Sequence, residues 1–180
     1  MTQPTLQTQR LTLRPFTLDD APAVQKLAGD PAIADTTLNI PHPYADGMAE
    51  AWIKGQADAF ARKGNYTYAI TRRDDGILLG AIGLTQDQRH NRAEMGYWIG
   101  KLYWGQGYAT EAARALLAYG FEALQLNKIY ATYFKRNPAS GRVMQKIGMT
   151  YEGLLRQHVR NGQRYEDLLY YGILRADFEV

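Results

Sequence analysis

A mixed α+β fold, with helices packed on one largely antiparallel sheet, is the class this sequence predicts, and three observations predict it. Segments with strand-like alternation cluster between residues 66 and 100 and are joined by short polar turns. Segments with the 3.6-residue period of an amphipathic helix stand before and after that cluster. No linker, internal repeat or low-complexity stretch divides the chain, so one domain is expected over residues 1–180.

The elements follow in order. Arg10-Leu-Thr-Leu-Arg14 alternates apolar and polar residues and reads as a strand ended by Pro15. Asp19 and Asp20 sit where helix caps and first turns favour acids. Ala23, Leu27 and Ala28 then make a short apolar face, closed by Gly29-Asp30-Pro31. Residues 33–44 hold prolines and read as a loop. Asp46 is placed to cap a second helix, with Met48, Trp52, Ile53 and Phe60 inward and a stop near Gly64. Strands are expected over 66–72, 77–84 and 93–100, with Asp74-Asp75-Gly76 as the first turn and residues 86–92 as the second. Gly80 and Gly83 mark bends or close backbone approach. Ala113, Leu116, Leu117, Gly120, Phe121 and Leu124 lie on one face of a helix. A strand over 128–134 follows. Asn137-Pro138 opens a helix that runs to Ile147, with Gly148 as its C′ residue. Residues 149–159 and 165–174 form a closing hairpin around Asn161-Gly162. That makes about seven strands and four helices.

Composition narrows the function. There are no cysteines, which removes disulfides, thiolate metal sites and a cysteinyl intermediate, and fits a cytoplasmic protein. No apolar run is long enough to span a membrane, and MTQPTLQTQR has no secretion-signal core. The net charge of +3 is not gathered into basic blocks, so neither specific nucleic-acid binding nor a membrane surface is indicated. His42, His90 and His158 are scattered, and no metal site is expected.

The stretch YWGQGYATE, residues 103–111, carries most of the chemistry. A strand, a glycine turn and a helix N-terminus make an anion site, because unpaired backbone N–H groups and the helix dipole point at the same spot; the alternative is a plain strand-to-helix connection. It is not a P-loop: Gln106 and Gly107 stand where the lysine and hydroxyl would be. Nor is it a dinucleotide fingerprint, since Thr110 replaces the third glycine.

Gly105-Gln-Gly107-Tyr-Ala-Thr-Glu-Ala resembles the coenzyme A pyrophosphate loop of the GNAT superfamily of N-acetyltransferases. Trp104 departs from that family's usual Gln or Arg, but Trp-Gly-x-Gly-Tyr-Ala-Thr-Glu-Ala is the form of its RimJ/RimL-type branch. Glu94-Met-Gly-Tyr-Trp-Ile-Gly100 before the loop, Asn137-Pro-Ala-Ser140 with Arg142 to Met149 after it, the opening Arg10 to Pro15 and the closing 167–174 strand are similar as well. Together they cover residues 8–178.

The resemblance implies a mostly antiparallel, twisted sheet that splays at the cofactor cleft. It also implies acetyl-CoA as co-substrate, without metal. Backbone groups of Gly105, Gln106, Gly107, Tyr108, Ala109 and Thr110, with Trp104 at the turn, would hold the pyrophosphate. Trp98, Ile99 and Gly100 would line the pantetheine arm, and a freed N–H, that of Ile99, would polarise the thioester carbonyl. Asn137 would bond the pantetheine amides. Arg142 is a candidate for the outer phosphates or a surface arginine.

Acetyl transfer to an amine also needs a base, an oxyanion donor and a proton for the departing thiolate. Glu94 is the candidate base; the alternative is a surface carboxylate paired with Arg89 or Arg92. Ser140 is the candidate donor; the alternative is a first-turn serine serving the backbone. Tyr133 is held in reserve. The expected route is direct transfer to a primary amine, a protein N-terminal α-amine or a small-molecule amine, in a ternary complex.

Residues 31–60 and 156–165 are expected on the acceptor side, where Asp35, Asp46 and Glu50 either attract a cationic amine or are solvated caps, and Tyr44 and Tyr66 are candidate groove residues. By analogy with the family, a homodimer is a candidate assembly through an exposed final strand. Two rival readings are a CoA-binding sensor without turnover and a nucleic-acid-binding module.

Overall fold

The computed structural model describes residues 3–62 and 64–178. Strands β1 (Leu6–Gln7), β2 (Leu11–Arg14), β3 (Asn65–Arg72), β4 (Leu78–Asp87), β5 (Arg92–Ile99), β6 (Lys128–Phe134), β7 (Thr150–Asn161) and β8 (Arg164–Leu174) make one sheet in the order β1-β2-β3-β4-β5-β6-β8-β7. The helices are α1 (Ala21–Ala28), α2 (Pro31–Thr36), α3 (Met48–Ala61), α4 (Tyr108–Glu122) and α5 (Pro138–Lys146). The β5–β6 pair is parallel and the other pairs are antiparallel.

Every strand and helix expected from the sequence is present, and two short elements are added. β1 has two residues, too few to show a period. α2 lies inside the segment read as a loop. Its Asp30 N-cap accepts the Ala32 N–H at 2.9 Å and Pro31 stands in the first turn, so the residues read as closing one helix also open the next. Two other expectations are corrected. Asp46 does not cap α3; Gly47 is the N-cap, in the left-handed region at φ 83°, with no side-chain cap bond. The final strand is not an exposed edge either. β8 lies between β6 and β7 and is paired on both sides, so the free edge at that end of the sheet is β7.

The sheet has two covered faces. Leu116, Leu117 and Phe121 of α4 pack in one cluster with Tyr68, Ile70, Leu84, Met95 and Ile129. Val24 of α1 and Ile53 of α3 pack on the opposite face with Ala69 and Leu78. Strand alternation produces this division: Tyr68 and Ile70 go to one cluster while Ala69 goes to the other. Leu116 and Leu117 are wholly buried, and trimming either to alanine would cost about 2–5 kcal/mol.

The sheet is not continuous across its middle. β5 is in register with β4 along its whole length, from Arg92 opposite Asp87 to Ile99 opposite Gly80. Against β6 it pairs only over Arg92, Ala93 and Glu94, opposite Lys128, Ile129 and Tyr130. β6 stays with β8 to its end, Phe134 opposite Leu168. At the far end of β5 the close approach to β4 depends on Gly80, where a Cβ would strike the Trp98 carbonyl oxygen. With each strand held by its outer neighbour, the two diverge and leave a wedge between them.

Candidate active site

Hydrogen-bond phase decides what faces the wedge. The Gly100 N–H donates to the Leu79 carbonyl at 2.8 Å, so by antiparallel alternation Glu94, Gly96 and Trp98 turn their main-chain groups to β4. Met95, Tyr97 and Ile99 therefore turn theirs to the gap. On β6, the Lys135 N–H bonds the Asp167 carbonyl at 2.9 Å, which leaves the main-chain groups of Thr132 and Phe134 facing the same gap. A cleft of about 740 Å³ runs through it, lined from both faces of the sheet.

The loop that opens α4 forms one end of this cleft. Gly105 and Gly107 have φ of 75° and 81°, a region that favours residues without a Cβ. Gly107 is the N-cap, and the first bonded amide of the helix is that of Glu111, on the Gly107 carbonyl at 3.1 Å. Among the described residues, the N–H groups of Gly105, Gln106, Gly107, Tyr108, Ala109 and Thr110 have no acceptor. With the dipole of α4 behind them, they form a cradle for an anion. Gly105, Gly107, Tyr108, Ala109 and Thr110 line the cleft. Gln106 does not; its amide reaches back to the Leu102 carbonyl at 3.3 Å. Trp104 lines the cleft and ties the loop to β5, its indole N–H donating to the Ile99 carbonyl.

Arg10 braces this loop from β2's side. Its Nε bonds Glu111 Oε2 at 2.7 Å, its Nη1 the Gln106 carbonyl at 3.1 Å, and its guanidinium lies 4.7 Å over the Tyr108 ring. Glu111 also accepts from the Thr8 hydroxyl at 2.6 Å and the Arg10 N–H at 2.8 Å. Partial burial pushes the Glu111 carboxyl upward, but these donors outweigh it and hold it below the usual carboxylate range.

Glu94 lies on the α1/α3 face of β5 and lines the cleft. Arg92, a partner offered by the sequence, instead pairs with Asp87 at 3.2 Å. Among the described residues Glu94 makes no ion pair; the Thr132 hydroxyl donates to it at 3.3 Å. Trp98 lines the same side and packs toward α1 and α3. Gly100 does not line the cleft. Its N–H is turned to β4, and a Cβ would collide with Leu27 at 2.8 Å, so it serves packing under α1.

Ser140 lies across the sheet. Its hydroxyl is 2.8 Å from the Tyr97 hydroxyl, which also donates to the Ser140 carbonyl at 3.1 Å. Burial pushes Tyr97 up to about 12 against the opposing pull of the Ser140 bond, so it carries its proton at neutral pH. Tyr133 lines the cleft on this side, with its hydroxyl against Gly141 and its ring 5.8 Å from that of Tyr171. Asn137 occupies the N-cap of α5 without a side-chain cap bond, so its amide is left to the cleft it lines. Arg142 lines the cleft with no ion pair among the described residues.

The acceptor-side expectations divide. Ile33, Leu38, Ile40 and Trp52 line the cleft, whereas Tyr44, Tyr66, Asp46 and Glu50 do not. Tyr66 packs edge-on to Phe60 and Tyr119. Asp35 is bound by Arg136 at 2.8 Å and approached by Arg164 at 3.8 Å. Arg10, Tyr97 and Thr132 were not singled out as site residues. Alternation was the available signal for Tyr97, since it must face away from Glu94 and toward the helix that carries Ser140. Among the described residues there is no cluster of metal-ligating side chains, and no helix long and apolar enough to cross a membrane.

Known proteins share this arrangement. Residues 10–150 match the acetyltransferase (GNAT) domain family. The N-acetyltransferase YoaA of Bacillus subtilis is 35% identical over 93% of this chain and 95% of its own length. YdaF of the same organism, whose name places it with ribosomal N-acetyltransferases, is 33% identical over 84% of this chain and 76% of its own. The structure of Mycobacterium smegmatis RimJ in complex with CoA-disulfide superposes with a TM-score of 0.87 at 23% identity, covering 97% of this chain and 90% of that one, a likeness of fold. The anion loop, the splayed strands and these relationships agree: this chain belongs to the GNAT acetyltransferase family, as an N-acetyltransferase of its RimJ/RimL-type branch.

Proposed function

We propose that this N-acetyltransferase passes an acetyl group directly to a primary amine, a protein N-terminal α-amine or a small-molecule amine, in a ternary complex assembled across the β5–β6 gap. The observation that carries the reading is the meeting, at one gap, of an unpaired carboxylate on one face of the sheet and a bonded hydroxyl pair on the other. The residues present fit coenzyme A. The unbonded amides of 105–110 suit a pyrophosphate, the main-chain groups of β5 and β6 that face the gap, the Ile99 carbonyl taken by Trp104 excepted, and the uncapped Asn137 amide suit a chain of amides, and the unpaired Arg142 suits an outer phosphate.

Acetyl-CoA, when bound, supplies an acetyl thioester. The chain's own groups do the rest. Glu94 takes the proton of the incoming ammonium, directly or through a water, because only the neutral amine is a nucleophile. The Ile99 N–H, turned to the gap, donates to the carbonyl oxygen on which charge builds. The Ser140 hydroxyl, held against Tyr97, would deliver a proton to the leaving sulfur as the carbon–sulfur bond breaks, and the second proton that the attacking nitrogen sheds on becoming an amide would restore the Ser140–Tyr97 pair, so the ammonium's two protons end on Glu94 and on the thiol. Holding both reactants in one cleft removes much of the entropic barrier. The absence of cysteine from the chain is consistent with a single transfer.

Thermal unfolding with and without acetyl-CoA, followed by thiol release with amines, tests the reading. Saturating acetyl-CoA should raise the midpoint by about several degrees, and release should depend on the amine. A shift without release from any amine would reduce the site to one that only binds CoA. No shift would refute the assignment of the loop.

A further inference from the structure

The cleft's charge points to the acceptor. We propose that the acceptor is an amine with one cationic nitrogen and an uncharged, largely apolar body, and that compounds with a second ammonium are disfavoured. The proposal rests on the acetyl-transfer reading above. Of the described residues lining the cleft, Glu94 is the only carboxylate. The wall on its side carries Ile33, Leu38, Ile40 and Trp52, with Phe134 and Leu168 beyond, and its polar members, among them Thr36, Thr37, Asn39, Thr67 and Thr85, are uncharged.

α2 does carry an acid, but that acid is already engaged. Arg136 bonds Asp35 Oδ2 with Nη1 at 2.8 Å and the Asp35 carbonyl with Nη2, while its Nε holds Glu166 at 2.7 Å. Arg164 lies 3.8 Å from the other Asp35 oxygen. Two carboxylates therefore face two guanidiniums, and Asp35 has little charge left to offer. The same Arg136 lies 5.2 Å over the Phe134 ring, and Asn161 Nδ2 reaches the Ala34 and Thr37 carbonyls, so α2 is held as a fixed wall. The Thr36 and Thr37 hydroxyls bond local carbonyls of Ala32 and Ile33. An amine bearing one ammonium can place it at Glu94, where it is deprotonated. A second ammonium would be desolvated against this wall with no counter-charge, which is unfavourable.

The test is steady-state thiol release at saturating acetyl-CoA with hexylamine, 1,6-diaminohexane and an apolar tripeptide with a free α-amine. Hexylamine or the tripeptide should exceed the diamine in kcat/KM by about tenfold or more, a difference of about 1.4 kcal/mol. Whichever of the two is faster names the source, and either supports the class. In Asp35→Asn the ratio should stay unchanged. In Leu38→Asp, at a position 46% exposed and so tolerant of a charge, the diamine should gain about tenfold. Diamine turnover equal to or above that of hexylamine overturns the proposal, as does a selective loss of diamine activity in Asp35→Asn. Stabilisation by acetyl-CoA with no release from all three probes also overturns it. An absent acetyl-CoA shift strikes instead at the site assignment itself.

Discussion

Arg10 and Arg136 each brace one side of the cleft, and comparing them separates two ways of building a binding surface. Arg10 lies over the loop that opens α4 and bonds a main-chain carbonyl, a carboxylate and a ring. What it holds in place is backbone: a row of amides whose value lies in direction, whatever the side chains. Arg136 bridges α2 and β8 and bonds two carboxylates. What it offsets is charge, by pairing the acids of α2 and β8. Both are long-range contacts, with Arg10 and Glu111, and Arg136 and Asp35, each 101 residues apart in the chain.

Substitutions at the two arginines and at the groups between them separate the two surfaces. The largest effect is expected where neither brace acts. Glu94→Gln should lower kcat by about 100-fold or more with an unchanged melting temperature. Gly107→Ala should raise the KM for acetyl-CoA by about tenfold and leave the amine KM alone, because a Cβ at φ 81° costs about 1–2 kcal/mol and turns the loop amides. Arg10→Ala and Arg136→Ala should then part company. The first should raise the acetyl-CoA KM by about fivefold, since it also leaves Glu111 uncompensated beside the anion cradle. The second should raise the hexylamine KM by a similar factor and leave the acetyl-CoA KM unchanged. If both variants moved the same KM, the two braces would not serve different surfaces. Tyr97→Phe should lower kcat by about threefold, as the Ser140 hydroxyl loses its bonded partner.

The smallest effect is a pH dependence. The Glu111 carboxyl is held below its ordinary value, so its stabilising bonds are fully present above the unfolded-state value near about 4.3. They are lost as pH falls through the lower folded-state value. Melting curves of the protein and of Glu111→Gln should therefore converge as pH drops below about 4. Parallel curves down to about pH 3 would mean that the brace adds nothing through the Glu111 charge.

Much of the candidate site's local structure is legible in the sequence. The glycine turn is readable because Gly105 and Gly107 supply a backbone conformation that other residues resist, and helix α4 announces itself through Ala113, Leu116, Leu117 and Phe121. Glu94 follows from strand alternation. α2 was less legible: six residues do not complete two helical turns, and Asp30-Pro31 serves the end of one helix and the start of another equally well. The α2 acid was visible, but its neutralisation was not, since Arg136 and Arg164 lie far along the chain.

The element types, the glycine turn that opens α4 and the face that α4 buries follow from the sequence alone, because each depends on neighbours within about four residues. The insertion of β8 between β6 and β7 came from the tertiary structure, as did the point at which the expected splay begins, where β5 leaves β6 after three paired residues. The tertiary structure alone set Tyr97 on Ser140 and silenced Asp35. Those outcomes depend on which strands are neighbours in the sheet, and strand order is settled by the packing of both faces together rather than by any local run of residues.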